Sequence, residues 1–179
     1  MRPTRPRPRC APPWKSATAT STPLRCTKNE KKGVGQGIRD FGIDRGEVYV
    51  TSKLNNGFHK PDDARRAFDK TIEALGSDYV DLFLIHWPLP TLYDGDFVST
   101  WKTLEEFKTD GRARSIGVSN FQIHHLEQLA RDSETVPAVN QIEVHPYFAN
   151  DELRTYGTDH TILTERGRRS PRARCSTTR

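Results

Sequence analysis

Four short stretches of the chain place a polar or ionisable side chain directly at the end of an apolar, strand-like run. Lys53 follows Val50-Thr51-Ser52, and His86 follows Leu84-Ile85. Ser119-Asn120 follow Ile116-Gly117-Val118, and Gln141 follows Val139-Asn140. An ammonium, an imidazole, a hydroxyl and two carboxamides are the groups that move protons, stabilise charge and orient a polar ligand. Taken singly, each has a plainer role. Lys53 fits a solvated strand end, His86 a satisfied core histidine, Ser119-Asn120 a helix cap and Gln141 a tie to a loop. Four consecutive strands ending in this way favour a functional reading. In a parallel barrel such ends share one rim, where catalytic groups from different strands converge.

The elements that would carry these residues alternate. Residues 47–52 have the β-branched and aromatic content of a strand. Residues 61–75 switch to helical spacing at Ala64, Phe68, Ile72 and Leu75, with Asp62 and Asp63 in the first turn and Gly76 as a stop. Residues 79–85 are a mostly apolar run, as in a strand buried on both faces. A helix is expected over 97–110, with Val98, Trp101, Leu104 and Phe107 on one side. A strand over 114–118, a short helix around Leu126 and Leu129 and a strand over 138–143 follow. Then come a helix over 152–159 and a strand beginning at 162–165. Repeated units of this length imply parallel strands with right-handed crossovers. An open doubly wound sheet and a closed barrel both fit. Gly33-Val34-Gly35-Gln36-Gly37 lies in a helical stretch and lacks dinucleotide-fingerprint spacing, which tilts the reading towards the barrel.

Charge divides the 179 residues into three zones. Residues 1–27 hold six Arg/Lys and no acid, and residues 166–179 hold six Arg and no acid. Removing those 12 from the 28 bases leaves 16 against all 23 acids in residues 28–165, a net of −7. Cys10, Cys26 and Cys175 all fall in the flanks, with no zinc or redox spacing, so free thiols and no metal site are expected. The mean hydropathy of −0.77, the absence of a long apolar run and the lack of a hydrophobic leader point to a soluble, cytoplasmic protein.

Val50-Thr51-Ser52-Lys53-Leu54, Leu84-Ile85-His86-Trp87-Pro88, Ser115-Ile116-Gly117-Val118-Ser119-Asn120-Phe121 and Val139-Asn140-Gln141-Ile142-Glu143-Val144-His145-Pro146 resemble successive strand-end motifs of the aldo-keto reductase family. The match is nearest to its bacterial diketogluconate-reductase-like branch, and order and separation agree as well. The resemblance implies an α/β fold, part of a (β/α)8 TIM barrel, over residues 28–165. It also implies reduction of an aldehyde or ketone to an alcohol with NADPH. Lys53 would be the catalytic lysine that lowers a tyrosine's pKa, and His86 would orient the substrate carbonyl. Ser119, Asn120 and Gln141 would hold the nicotinamide carboxamide. Trp87 would line the substrate pocket, core packing being the equal alternative.

The family pattern also requires an aspartate and a general-acid tyrosine upstream of Lys53, and residues 1–27 contain neither. A shifted reading frame accounts for this. Ala17-Thr18-Ala19-Thr20-Ser21-Thr22-Pro23-Leu24-Arg25-Cys26-Thr27 is compatible with DNA read in another frame as G-Y-R-(H or D)-I-D-T-A-A-M-Y. Residues 166–178 likewise accommodate A-W-S-P-I-A-x-G-x-x-L-D-D. The other account is two disordered Arg- and Pro-rich tails. On the family pattern the last strands, and the basic loop for the adenosine 2′-phosphate, fall outside the sequence. A barrel so opened would expose two strand edges.

A non-catalytic alternative is polyanion or nucleic-acid binding through Arg2, Arg5, Arg7, Arg9, Arg166, Arg168, Arg169, Arg172 and Arg174. Trp14 is the one stacking aromatic in those segments, which makes this the weaker reading. A transit peptide is weaker still, because Pro3, Pro6, Pro8, Pro12 and Pro13 would break its helix.

Overall fold

A computed structural model describes residues 28–167 of the chain. The cysteines and nearly all of both basic flanks lie outside these residues, so the readings placed on them are not addressed by the fold.

The described residues form five strands alternating with helices. They are α1 (Lys28–Asp40), β1 (Thr51–Leu54), α2 (Pro61–Leu75), β2 (Val80–Ile85), α3 (Phe97–Thr109), β3 (Ala113–Ser119), α4 (Ile123–Asp132), β4 (Val139–Glu143), α5 (Asp151–Asp159) and β5 (Leu163–Gly167). The strands make one parallel sheet in chain order, each joined to the next by a helix. α2 forms where its sequence directs: Pro61 opens it, Asp62 and Asp63 follow, and Gly76 closes it at φ 62° in the left-handed region. β5 runs two residues into the basic flank, pairing Arg166 with Ile142 and Gly167 with Glu143.

One element departs from expectation. The strand expected at 47–52 begins only at Thr51, and Arg45–Glu47 instead forms a 3-10 turn capped by Asp44. The reason is long-range. The Val50 N–H donates to the Asp81 carboxylate at 2.9 Å, and Arg45 Nη1 donates to the Val48 carbonyl at 2.6 Å. Side chains therefore satisfy the Val48 carbonyl and the Val50 N–H, while the Val50 carbonyl accepts from the Asp81 and Leu82 N–H groups. Asp81, 4% exposed, also accepts from Arg45 at 2.8 Å and from Arg114 at 3.1 Å. Asp81→Ala would leave the Val50 N–H without its acceptor and remove one of the four acceptors of the Arg45 guanidinium. The expected loss is about 1–3 kcal/mol of stability, read from urea denaturation. A midpoint equal to that of the parent chain would contradict this account of the strand start.

The sheet has two unlike faces. Phe83 and Ile85 of β2, with Ile116 and Val118 of β3, belong to the main core with Phe68 of α2 and Trp101, Leu104 and Phe107 of α3. The register puts Lys53, Leu84 and Gly117 side by side on the opposite face, and Ser119 beside Gln141. Leu82 and Leu84 are buried there although the helices pack on the other side. Such burial needs a sheet curled around its own inner face, as in part of a (β/α)8 barrel. The architecture is α/β. Among the described residues, no helix is long and apolar enough to cross a membrane.

The glycine-rich stretch Gly33-Val34-Gly35-Gln36-Gly37 lies inside α1. A β-carbon at Gly35 would run into the Leu75 carbonyl at the end of α2, so this glycine permits close helix packing.

Candidate active site

Lys53, His86, Ser119, Asn120 and Gln141 come together at the C-terminal ends of β1 to β4. Lys53 Nζ donates to Ser119 Oγ at 3.1 Å and to Gln141 Oε1. Ser119 Oγ donates to the Gln141 carbonyl at 2.9 Å. The Asn120 backbone N–H donates to that same carbonyl at 3.0 Å. Asn120 Nδ2 donates to the His86 carbonyl at 3.0 Å and to Ser119 Oγ at 3.2 Å. The ends of three strands and the loops after β2 and β3 are thus tied into one hydrogen-bonded set.

The strands supply the spacing. β2 ends at Ile85, so His86 is the first residue beyond it, whereas β4 continues past Gln141 to Glu143. The stagger brings Gln141 level with Ser119, the last residue of β3. Asn120 turns the chain at φ 64°, a left-handed conformation that asparagine tolerates better than most side chains. At Gly117 an added β-carbon would lie 2.6 Å from the Val139 carbonyl and 2.8 Å from Leu84, so only glycine lets β4 approach β3 at this point. Behind the set, Asn140 Nδ2 donates to the Phe121 carbonyl at 3.0 Å and secures the loop after β3.

Burial shapes the electrostatics. Ser119 is 1% exposed and Gln141 3%. The Gln141 Nε2 is a buried donor with no protein partner. His86 is pushed down to a pKa of about 4, first by burial, then by the Lys53 ammonium and by His59. Its imidazole is therefore neutral at physiological pH, with one N–H to donate. Trp87 meets the His86 ring edge-on at 6.4 Å and is 45% exposed, which core packing does not explain. Among the described residues, no group of three or more His, Cys, Asp or Glu side chains is placed to hold a metal ion.

Two loop residues beside this site were not legible in the sequence. His59, between β1 and α2, is 2% exposed and stacks on Tyr93, between β2 and α3, at 5.5 Å and 7°. Tyr93 Oη donates to the Asn56 carbonyl at 3.1 Å. Neither residue sits in a periodic pattern, and no short motif marks either.

The chain belongs to the aldo/keto reductase family, whose model matches residues 25–164. Over 138 residues it is 48% identical to the glyoxal reductase of Bacillus subtilis (strain 168), covering 77% of this chain and 48% of that protein. It is 40% identical over 138 residues to the methylglyoxal reductase DkgA of Escherichia coli (strain K12), with 77% and 48% covered. An aldo/keto reductase structure from Brucella melitensis superposes with a TM-score of 0.73 at 44% identity, covering 76% of this chain and 53% of that one. The Bombyx mori aldo-keto reductase in complex with NADP gives 0.71 at 35% identity, covering 77% and 48%. The chain spans about half the length of the curated relatives it matches.

Proposed function

We propose that this site serves NADPH-dependent reduction of a small aldehyde or ketone to an alcohol. The observation that carries the reading is the convergence of Lys53, His86, Ser119, Asn120 and Gln141 from four strands, with Gln141 Nε2 buried and unpartnered. A nicotinamide carboxamide presents one acceptor and two donors. Ser119 Oγ, Asn120 and Gln141 carry the complementary groups, and Gln141 Nε2 is the donor such an acceptor would satisfy. The residues present fit the group.

Ser119, Asn120 and Gln141 hold the carboxamide and so fix which face of the ring meets the substrate. When bound, the cofactor supplies the hydride. The neutral imidazole of His86 donates to the carbonyl oxygen and orients it. In the family pattern the Lys53 ammonium would lower the pKa of the tyrosine that protonates the nascent alkoxide, a residue that positions 1–27 do not supply. Trp87 provides an apolar wall for the substrate. Glyoxal and methylglyoxal, after which two relatives are named, set the size of carbonyl to try first. The proposed setting is the cytoplasm.

Residues 1–27 contain neither the tyrosine that the family uses as general acid nor the aspartate that pairs with the lysine. Loss of a general acid costs about 10²–10⁴ in rate. The purified chain is therefore expected to oxidise NADPH with methylglyoxal at least that much more slowly than an intact relative. Turnover at the relative's level would overturn this expectation. Saturation-transfer NMR is expected to show the nicotinamide protons of NADPH in contact with the chain. Gln141→Leu should weaken that binding about fivefold, the effect of one hydrogen bond near 1 kcal/mol. Undiminished affinity in the variant would count against the site itself.

A further inference from the structure

The loop between β2 and α3 is held in a conformation that its own residues do not favour. Leu89, Tyr93 and Asp94 all have φ near +50°, at 50°, 55° and 54°, and neither leucine nor tyrosine adopts that region readily. The loop folds on itself through Leu92 N to Leu89 O at 3.1 Å and Gly95 N to Leu92 O at 3.0 Å. Those bonds close the turns, but they do not explain why side chains bulkier than glycine or asparagine sit in left-handed positions. Such residues persist only where the surroundings over-determine them.

The Tyr93 ring lies parallel to the His59 ring at 5.5 Å, and its hydroxyl donates to the Asn56 carbonyl. His59 is fixed in turn, 2% exposed, with its carbonyl accepting from Thr100 Oγ1 at 2.7 Å. The loop after β1 is thereby clamped to α3, and Tyr93 is clamped to the loop. His86 and Trp87 form the N-terminal root of this strained segment. The Asn120 side chain restrains the backbone of His86, Pro88 is buried directly after Trp87, and further along the loop Tyr93 is anchored by its stack on His59 and by its hydroxyl on the Asn56 carbonyl.

We propose that His59 is a positioning residue, its ring seated beneath Tyr93 so that the loop after β2 stays in its left-handed form and holds Trp87 and His86 at the site mouth. The proposal rests on the reductase reading of that mouth. It assigns the wall of the substrate site to two consecutive rim loops acting as one body. What is required of position 59 is a flat, buried ring. The His59 Nε2 has no partner, so that nitrogen does not hold the loop. Burial also lowers the His59 pKa to about 4, which keeps the ring uncharged beside His86.

The test uses the full chain labelled with 5-fluorotryptophan, without cofactor or substrate. Its three fluorine lines, from Trp14, Trp87 and Trp101, are assigned by single Trp→Phe changes. His59→Ala is expected to move the Trp87 line towards its position in the unfolded chain and to leave the fully buried Trp101 line in place. His59→Phe keeps the flat ring and should restore the parent Trp87 line. Should His59→Ala unfold the chain, as loss of the Trp101 line would reveal, Tyr93→Ala removes the same stack from the other side, and Tyr93→Phe, which keeps the ring but not the bond to Asn56, must leave the Trp87 line in place. An unmoved Trp87 line in the folded alanine variant overturns the proposal. So does a His59→Phe chain that shifts as far as His59→Ala. Because neither NADPH nor turnover is read, this inference can fail while the reductase reading stands, and the reverse.

Discussion

Replacing Phe68 with alanine is expected to cost the fold about 3–5 kcal/mol. Phe68 is 0% exposed and stacks on Phe107 at 4.1 Å and 8°, while meeting Phe83 edge-on at 4.8 Å. One side chain thus joins α2, α3 and β2 in a single aromatic cluster. Arg112 closes that cluster to solvent, its guanidinium 5.3 Å from the Phe68 ring and 5.2 Å from the Phe107 ring. Alanine would leave a cavity between elements that the sheet and crossovers prevent from collapsing inward. Leucine at the same position keeps most of the volume and should cost markedly less. Urea unfolding monitored by far-UV circular dichroism measures both. If Phe68→Ala shifted stability by less than about 1 kcal/mol, the cluster could not be the joint between these three elements.

Acid should destabilise the chain well before its carboxylates are protonated. His59, His86 and His125 are each lowered from 6.5 to about 4, with burial as the leading cause in all three. For His125 the neighbouring His124 adds to the effect, and its Nδ1 accepts from the Gln122 N–H at 3.1 Å, a bond that a protonated ring cannot make. A base whose folded pKa lies below its unfolded value leaves stability intact above the unfolded pKa. Between the two values the unfolded chain binds the extra proton, so stability falls as the pH drops from 6.5 towards 4. The summed effect is on the order of several kcal/mol, with a slope approaching three protons at its steepest. Thermal midpoints taken across that range, with His125→Phe as a variant that removes one proton from the slope, measure it. A flat profile down to pH 4.5 would mean that these rings are not buried neutral.

The parts of the fold that were legible in the sequence are those set by neighbours along the chain. α2 follows its residues from Pro61 to Gly76 because entry, first-turn charge, apolar spacing and stop are all local signals. The beginning of β1 is not local. Val48 and Val50 have strand-like composition, but Arg45 partners the backbone of Val48, the Val50 N–H goes to the Asp81 side chain 31 residues on, and the Val50 carbonyl accepts from Asp81 and Leu82. The candidate site was legible in outline because parallel strands bring their C-terminal ends to one rim, whatever their sequence separation. The contact of Lys53 with Ser119 and Gln141, 66 and 88 residues on, follows from that rule. Its detail does not, since the stagger that brings Gln141 level with Ser119 depends on sheet register. His59 and Tyr93 are not legible in the sequence because a stack across 34 residues between two irregular loops leaves no periodicity.

Strand order in the sheet is the same as order along the chain, with a helix between each successive pair. No segment needs to wait for a distant later one before it can find its place beside an earlier neighbour. A polypeptide of this topology can accrete vectorially, each new β-α unit docking on the one already made as it leaves the ribosome, with modest loop-closure entropy at every step.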